Sequence, residues 1–299
     1  MILKYDVFIK KLNETLFEGS SADLLSKIVN SPDRYVGIFR PTKPKTKLIQ
    51  NITQSHEIKF GDALENIFED YFKILGFEIL EKRLCSKDTK DNKEYNIDQL
   101  LRKDGKIYLI EQKVRDDHDS TKKVGQFSNF EAKYFEVSRK YEDDIVIPIM
   151  WFIDDSLKKN KNYYSKQMEE MANFYGCEPK LYYGIEMFAE SENGIKYFPN
   201  DMWNEIIDYL TEWKVTLPDM PEVNFDANSE EVFEELKDLS PSIYRKLLKN
   251  HDIKEQILPI IFTQGKVLKK LKDYFSSKEE IVYKNIAGEI EEYIREKFE

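Results

Sequence analysis

Asp98, Glu111 and Lys113 are the residues of this chain whose types and spacing could do chemistry. Two apolar, strand-like runs flank Asp104-Gly105, a dipeptide that two-residue hairpin turns favour because both central residues need positive φ. With that turn, Lys103 faces Lys106, and following the ladder outward brings Asp98 opposite Glu111. Side chains alternate faces with period two, so Lys113 projects on the same side as Glu111. Facing carboxylates repel and resist joint ionisation unless a cation lies between them. Oxygen ligands of this kind, completed by water, suit Mg²⁺ or Mn²⁺. Such an ion can polarise a phosphoryl oxygen, hold an attacking water and neutralise the leaving oxygen. Lys113 could orient that water, help deprotonate it or stabilise negative charge in the transition state. Gln112 alternates to the opposite face, which makes its side chain structural and leaves its main-chain carbonyl as a metal ligand. A pattern this short is most often a solvated ion pair on a surface hairpin. Here Ile107-Tyr108-Leu109-Ile110 reads as a strand buried on both faces, where uncompensated charge is expensive.

The elements that would position this hairpin follow from apolar spacing. Residues 3–30 carry a helical pattern, with Leu12, Leu16, Leu24, Leu25 and Ile28 as core positions. A loop with Pro41 and Pro44 follows. Gly61 opens a helix whose stripe (Ala63, Leu64, Ile67, Phe68, Tyr71, Phe72, Leu75) ends at Gly76. Phe77–Leu80 begins the first strand, and the charged run Ser86–Glu94 is a loop. After the hairpin, Gln126–Tyr141 reads as a helix and Ile145–Ile153 as a buried strand. A helix at Tyr163–Tyr175, a strand at Leu181–Phe188 and a helix at Asn200–Lys214 extend the order. Helix, β-meander, helix, strand is an α/β arrangement with a mixed sheet flanked by helices. The expected division is a helical segment with a basic loop at 1–60, a core at 61–215, a linker at 216–229 and a helical region at 230–299.

Composition agrees with a globular protein: 41% of the 299 residues are hydrophobic and 34% charged. No apolar run approaches the ~18 residues that span a bilayer, and no signal-peptide pattern opens the chain. A cytoplasmic, prokaryotic protein without a membrane partner is the expectation. Cys85 and Cys177 lack metal-site spacing, and three scattered histidines form no ligand set, which counts against zinc. The net charge of −10 argues against a polyanionic partner. Its distribution softens that objection, since residues 1–60 carry 10 basic against 6 acidic side chains.

Asp98, Glu111 and Lys113 match the PD-(D/E)XK pattern of metal-dependent nucleases, with Ile97 where a Pro usually precedes the first acid. The chain resembles a type II restriction endonuclease over about residues 60–155. Gly61-Asp62-Ala63-Leu64-Glu65-Asn66 is similar to a helix start in enzymes that cut at GATC. Arg115-Asp116-Asp117-His118-Asp119-Ser120-Thr121-Lys122-Lys123 is similar to a loop in enzymes of the GANTC-cutting sort. These two point to different recognition sequences. The resemblance implies a PD-(D/E)XK restriction-endonuclease-like α/β core with helical N- and C-terminal extensions. It further implies Mg²⁺-dependent hydrolysis of double-stranded DNA at a short specific sequence, leaving 5′-phosphates, with Mn²⁺ able to substitute. A homodimer would match a palindromic site, and a cognate methyltransferase would be encoded nearby.

Glu65, on the helix before the hairpin, is a further catalytic candidate, as a helix acid is in many such enzymes; its bland alternative is a solvated side chain. Base edges can be read by Arg and Lys at guanine, Asn and Gln at adenine, and acids at cytosine. Arg115, Asp117, His118, Lys122, Lys123, Gln126 and Asn129 therefore form the candidate DNA-contact set, joined by Lys43, Lys45 and Lys47 of the basic loop. The competing readings are a repair-type nuclease and a non-cleaving DNA-binding module on the same fold.

Overall fold

The computed structural model describes residues 1–85, 93–189 and 198–298. In chain order the helices and strands are α1 (Tyr5–Phe17), α2 (Ser20–Asn30), α3 (Pro44–Ile74), β1 (Glu78–Ile79), β2 (Arg83–Cys85), β3 (Glu94–Asn96), β4 (Gln99–Lys103) and β5 (Lys106–Lys113). There follow α4 (Ser120–Lys140), β6 (Ile145–Phe152), α5 (Lys161–Tyr175), β7 (Lys180–Tyr183) and α6 (Asn200–Val215). Six helices end the chain: α7 (Ser229–Leu236), α8 (Pro241–Lys249), α9 (His251–Gln256), α10 (Leu258–Ile261), α11 (Lys266–Ser276) and α12 (Ile281–Phe298). Contacts divide the chain into two compact units, Met1–Leu12 with Phe60–Thr216 and Asn13–Lys59 with Leu217–Glu299.

The first unit holds a five-stranded sheet in the order β1-β4-β5-β6-β7. β1, β4 and β5 are antiparallel neighbours, whereas β5, β6 and β7 run parallel. The expected mixed sheet flanked by helices is therefore present. Asp104 (φ 51°) and Gly105 (φ 70°) form the turn, and Lys103 faces Lys106 with an unbroken register back to Gln99 opposite Ile110. Alternation along β5 and β6 sends Ile107, Leu109, Met150 and Phe152 into one core with Phe127, Phe130 and Val137 of α4 and Tyr164, Met168 and Met171 of α5. The opposite face sets Trp151 edge-on to Phe68 of α3 (ring centroids 4.7 Å apart), and Tyr108 against Phe77 and Phe198. Burial on both faces explains the continuous apolar runs of β5 and β6.

Several boundaries differ from the sequence reading, each for a local reason. Gly19, at φ 70°, interrupts the helical run of residues 3–30 and separates α1 from α2. Pro44 does not belong to the loop but starts a 31-residue helix, a position where its missing N–H costs nothing. Lys45 and Lys47 are consequently helical, and Gly61 lies inside α3 instead of opening it. α4 begins six residues before Gln126 because the Asp119 carboxylate accepts from the Thr121 and Lys122 N–H groups as an N-cap. β7 stops at Tyr183, and Gly184–Phe188 is a 3₁₀ turn. Of the charged run Ser86–Glu94, residues 86–92 lie outside the described residues, and Glu94 opens β3.

The second unit is helical. Leu25, Ile28, Leu48, Leu258, Phe262, Leu271 and Ile290 are buried together in its core. Thr216–Ser229, expected to be a linker, contributes buried Val223 and Phe225 to that core. Asp226 is buried there too, and its carboxylate accepts from the Gln264 and Val267 N–H groups at 2.6 and 2.9 Å, capping α11.

Candidate active site

The carboxyl end of β5, beside the start of β4, gathers the first three candidates. Asp98 lies one residue before β4 and extends the hairpin through its side chain: Oδ2 accepts from the Gln112 N–H and from Lys113 Nζ, both at 2.8 Å. Lys113 Nζ also stands 2.9 Å from Glu111 Oε1, so one ammonium bridges both acids. A fourth member comes from α4. Lys133 Nζ lies 2.6 Å from Glu111 Oε2 and 3.8 Å from Asp98 Oδ1. Lys133 and Glu111 are each 3% exposed. Two carboxylates and two ammoniums thus form a charge-balanced quartet, with Glu111 and Lys133 buried and Asp98 and Lys113 partly buried, the pairing under which such groups tolerate removal from water.

Burial alone would lower the Lys113 pKa, but the Glu111 and Asp98 carboxylates outweigh it and hold the ammonium above its ordinary value. A lysine so held is a donor and a positive charge, and a poor base. Glu65, from α3, behaves oppositely. Burial, then repulsion from Asp98, pushes its pKa up to about 7, against the opposing pull of Lys113 and Lys82. Its main-chain carbonyl is fixed by the buried Gln99 side chain at 2.7 Å. With the folded pKa above the ordinary 4.5, Glu65 favours the folded state most below pH 4.5, and that contribution is lost as pH rises through about 7. In chelator, Glu65→Gln should therefore flatten the fall in unfolding free energy across that window. Parallel urea titrations at stepped pH values measure this, and identical profiles would place Glu65 in solvent.

Among the described residues no three His, Cys, Asp or Glu side chains are grouped to hold a metal ion. The pair Asp98 and Glu111 still fits a hard cation, because a single Nζ atom already reaches an oxygen of each at 2.8 and 2.9 Å. The Gln112 carbonyl and water would supply remaining oxygen ligands. The Gln112 side chain is buried, and its Oε1 has no hydrogen-bond partner among the described residues.

The segment after β5 is only partly a solvent loop. Asp116 is fully buried and accepts from Asn160 N (2.7 Å), Asn160 Nδ2 (2.8 Å) and the Tyr183 hydroxyl (3.0 Å), tying the end of β5 to α5 and β7. Asp116→Ala would strand those donors in the interior and should destabilise the fold by about 3 kcal/mol in urea denaturation. Arg115 is exposed and ion-pairs with Asp154 at 3.3 Å. Asp117 is exposed, 3.6 Å from His118 Nδ1. Lys122 and Lys123 lie on α4 rather than on a loop, together with Gln126 and Asn129, which were expected on that helix. Lys123 Nζ sits 4.8 Å from the centre of the Tyr163 ring. Gln126 turns toward α5, where its Oε1 accepts from the Tyr164 hydroxyl at 2.8 Å. Lys43, Lys45 and Lys47 belong to the other unit.

Residues 76–214 match the family model of the type II restriction endonuclease HinfI. No curated protein matches the chain. No helix among the described residues is long and apolar enough to cross a membrane. Restriction endonucleases are hydrolases that cut DNA, and the matched segment contains Asp98, Glu111, Lys113 and Lys133. Over this sheet-bearing stretch the chain is similar to type II restriction endonucleases of the HinfI family, and the resemblance read from its sequence stands.

Proposed function

We propose that this protein is a Mg²⁺-dependent type II restriction endonuclease with a PD-(D/E)XK core, cutting double-stranded DNA at a short specific sequence to leave 5′-phosphates. The observation that carries the reading is that Lys113 Nζ lies within 2.9 Å of a carboxylate oxygen of both Asp98 and Glu111, inside the segment that matches the restriction endonuclease family. Asp98, Glu111 and the Gln112 carbonyl would hold the ion, which when bound supplies Lewis acidity at the scissile phosphate. The protein's own groups do the rest. Lys113, kept charged, donates to a non-bridging phosphate oxygen or to the attacking water and stabilises the charge gathering on phosphorus. Glu65, titrating near neutrality, accepts a proton from that water. Lys133 holds Glu111 in the orientation that the other groups need. Arg115, Asp117, His118, Lys122, Lys123 and Asn129 are the proposed DNA contacts beside the site. A cytoplasmic homodimer acting on palindromic sites, with a methyltransferase encoded nearby, completes the proposal.

The test is incubation with plasmid DNA. Discrete fragments should form with Mg²⁺ or Mn²⁺ and none with EDTA or with Ca²⁺, whose looser shell gives a poorer catalytic geometry. A smear would indicate repair-type degradation, a gel shift without cutting a binding module, and cutting in chelator a metal-free nuclease.

A further inference from the structure

Gly37–Arg40 is a closed turn in which the Arg40 N–H donates to the Gly37 carbonyl at 3.1 Å, with Gly37 at φ 127°, where other residues are strained. Its two apex positions are Ile38 and Phe39, 92% and 97% exposed. Apart from Met1 they are the most exposed large apolar side chains among the described residues. The turn is held from both sides. Tyr35 and Val36, before it, are buried, and their N–H groups donate to the Pro32 carbonyl at 2.8 and 3.2 Å. Arg40 Nε donates to the Asp33 carbonyl at 3.1 Å, and beyond Pro44 the buried Leu48 anchors α3. Two bulky apolar groups are therefore presented to water by a fixed scaffold.

Their surroundings are strongly basic. Residues 32–47 contain Arg34, Arg40, Lys43, Lys45 and Lys47 against one acid, Asp33, in a chain of net charge −10. An apolar pair between cations is complementary to a surface that alternates phosphates with stacked bases. Side chains of the Ile and Phe type act as wedges between base steps in minor-groove binding proteins. A second copy of the chain is a poor occupant, since a two-fold contact would set like charges against each other.

We infer that Ile38 and Phe39 enter the minor groove of duplex DNA and part a base step, while Arg34, Arg40, Lys43 and Lys45 neutralise the flanking phosphates. This rests on the nuclease reading only in taking DNA as the polyanion. The test uses the full chain with a fluorescein-labelled mixed-sequence duplex in Ca²⁺. The indole introduced by Phe39→Trp should be quenched and shielded from acrylamide when duplex is added; the native Trp151, Trp203 and Trp213 are buried and already shielded, so subtracting the parent's signal isolates the new indole. Ile38→Ser with Phe39→Ser should weaken binding roughly tenfold or more with the salt slope unchanged, because the phosphate contacts remain. Circular dichroism confirms that the variants fold. The inference falls if the indole stays accessible and the double variant binds as the parent does. It falls equally if anionic vesicles but not duplex shield the indole, or if the double variant changes only the sedimenting mass. Plasmid cutting by the parent without shielding would remove the wedge alone. Shielding without cutting would remove the nuclease reading and leave the wedge.

Discussion

Glu111→Ala and Lys113→Ala should each lower the rate of DNA cleavage by about a thousandfold or more, the scale seen when a group that stabilises transition-state charge is deleted. The effect should fall on turnover, with duplex affinity in Ca²⁺ largely retained, because the proposed DNA contacts beside the site rest mainly on Arg115, Asp117, His118, Lys122, Lys123 and Asn129. Glu111 is shared by Lys113 at 2.9 Å and Lys133 at 2.6 Å, so its removal takes away the closest partner of Lys133 and leaves Asp98 as the remaining acid of the cluster. Both variants must be shown folded before their rates are compared, since breaking a buried ion pair costs about 3–5 kcal/mol. A folded variant that cuts at the parental rate would eliminate this site.

Lys133→Met should have the second largest effect, first on stability. The substitution keeps the aliphatic stem and deletes the ammonium, leaving the buried Glu111 and partly buried Asp98 carboxylates with only Lys113 between them. In chelator that residual charge should cost about 3–5 kcal/mol. A divalent ion restores the balance, so Mg²⁺ or Ca²⁺ should raise the melting temperature of the variant by more than that of the parent, as expected for a ligand that binds only the folded state. Thermal scans in EDTA and at stepped ion concentrations measure both quantities. The absence of an ion-induced shift in either protein would mean that no cation binds between Asp98 and Glu111.

Lys133 also marks where the sequence stopped being legible. The Asp98–Glu111–Lys113 geometry could be read because Asp104-Gly105 fixes a two-residue turn, and a turn fixes register. Lys133 lies 20 residues further on, in a helix, where a charged side chain ordinarily reads as solvated. The available signal was its place in an apolar stripe: Phe130, Tyr134 and Val137, at helical spacing around it, are all buried. A lysine there needs a buried partner. The acids after β5 were ambiguous for a related reason. Asp116, Asp117 and Asp119 are one cluster in sequence, yet the first is a buried anchor, the second is exposed and the third caps α4. Composition cannot separate those roles, because each depends on which donors the fold brings near. Thr216–Ser229 has two prolines and few apolar residues, and its packing rests on Val223, Phe225 and a carboxylate that caps a helix 40 residues away.

The borders of the sheet carry a consequence for assembly. Its outermost strands are β1, two residues long, and β7, four residues long, while the eight-residue β5 and β6 lie inside. β7 pairs only Ile149–Phe152 of β6, and the stretch it leaves uncovered, Ile145–Pro148, includes Pro148, which has no N–H to donate to an added strand. Short borders and a proline in the open stretch make this sheet a poor template for aggregation. Such borders favour a partner protomer's meeting this unit through its helices and loops, with the strands beneath Glu111 and Lys113 left undisturbed.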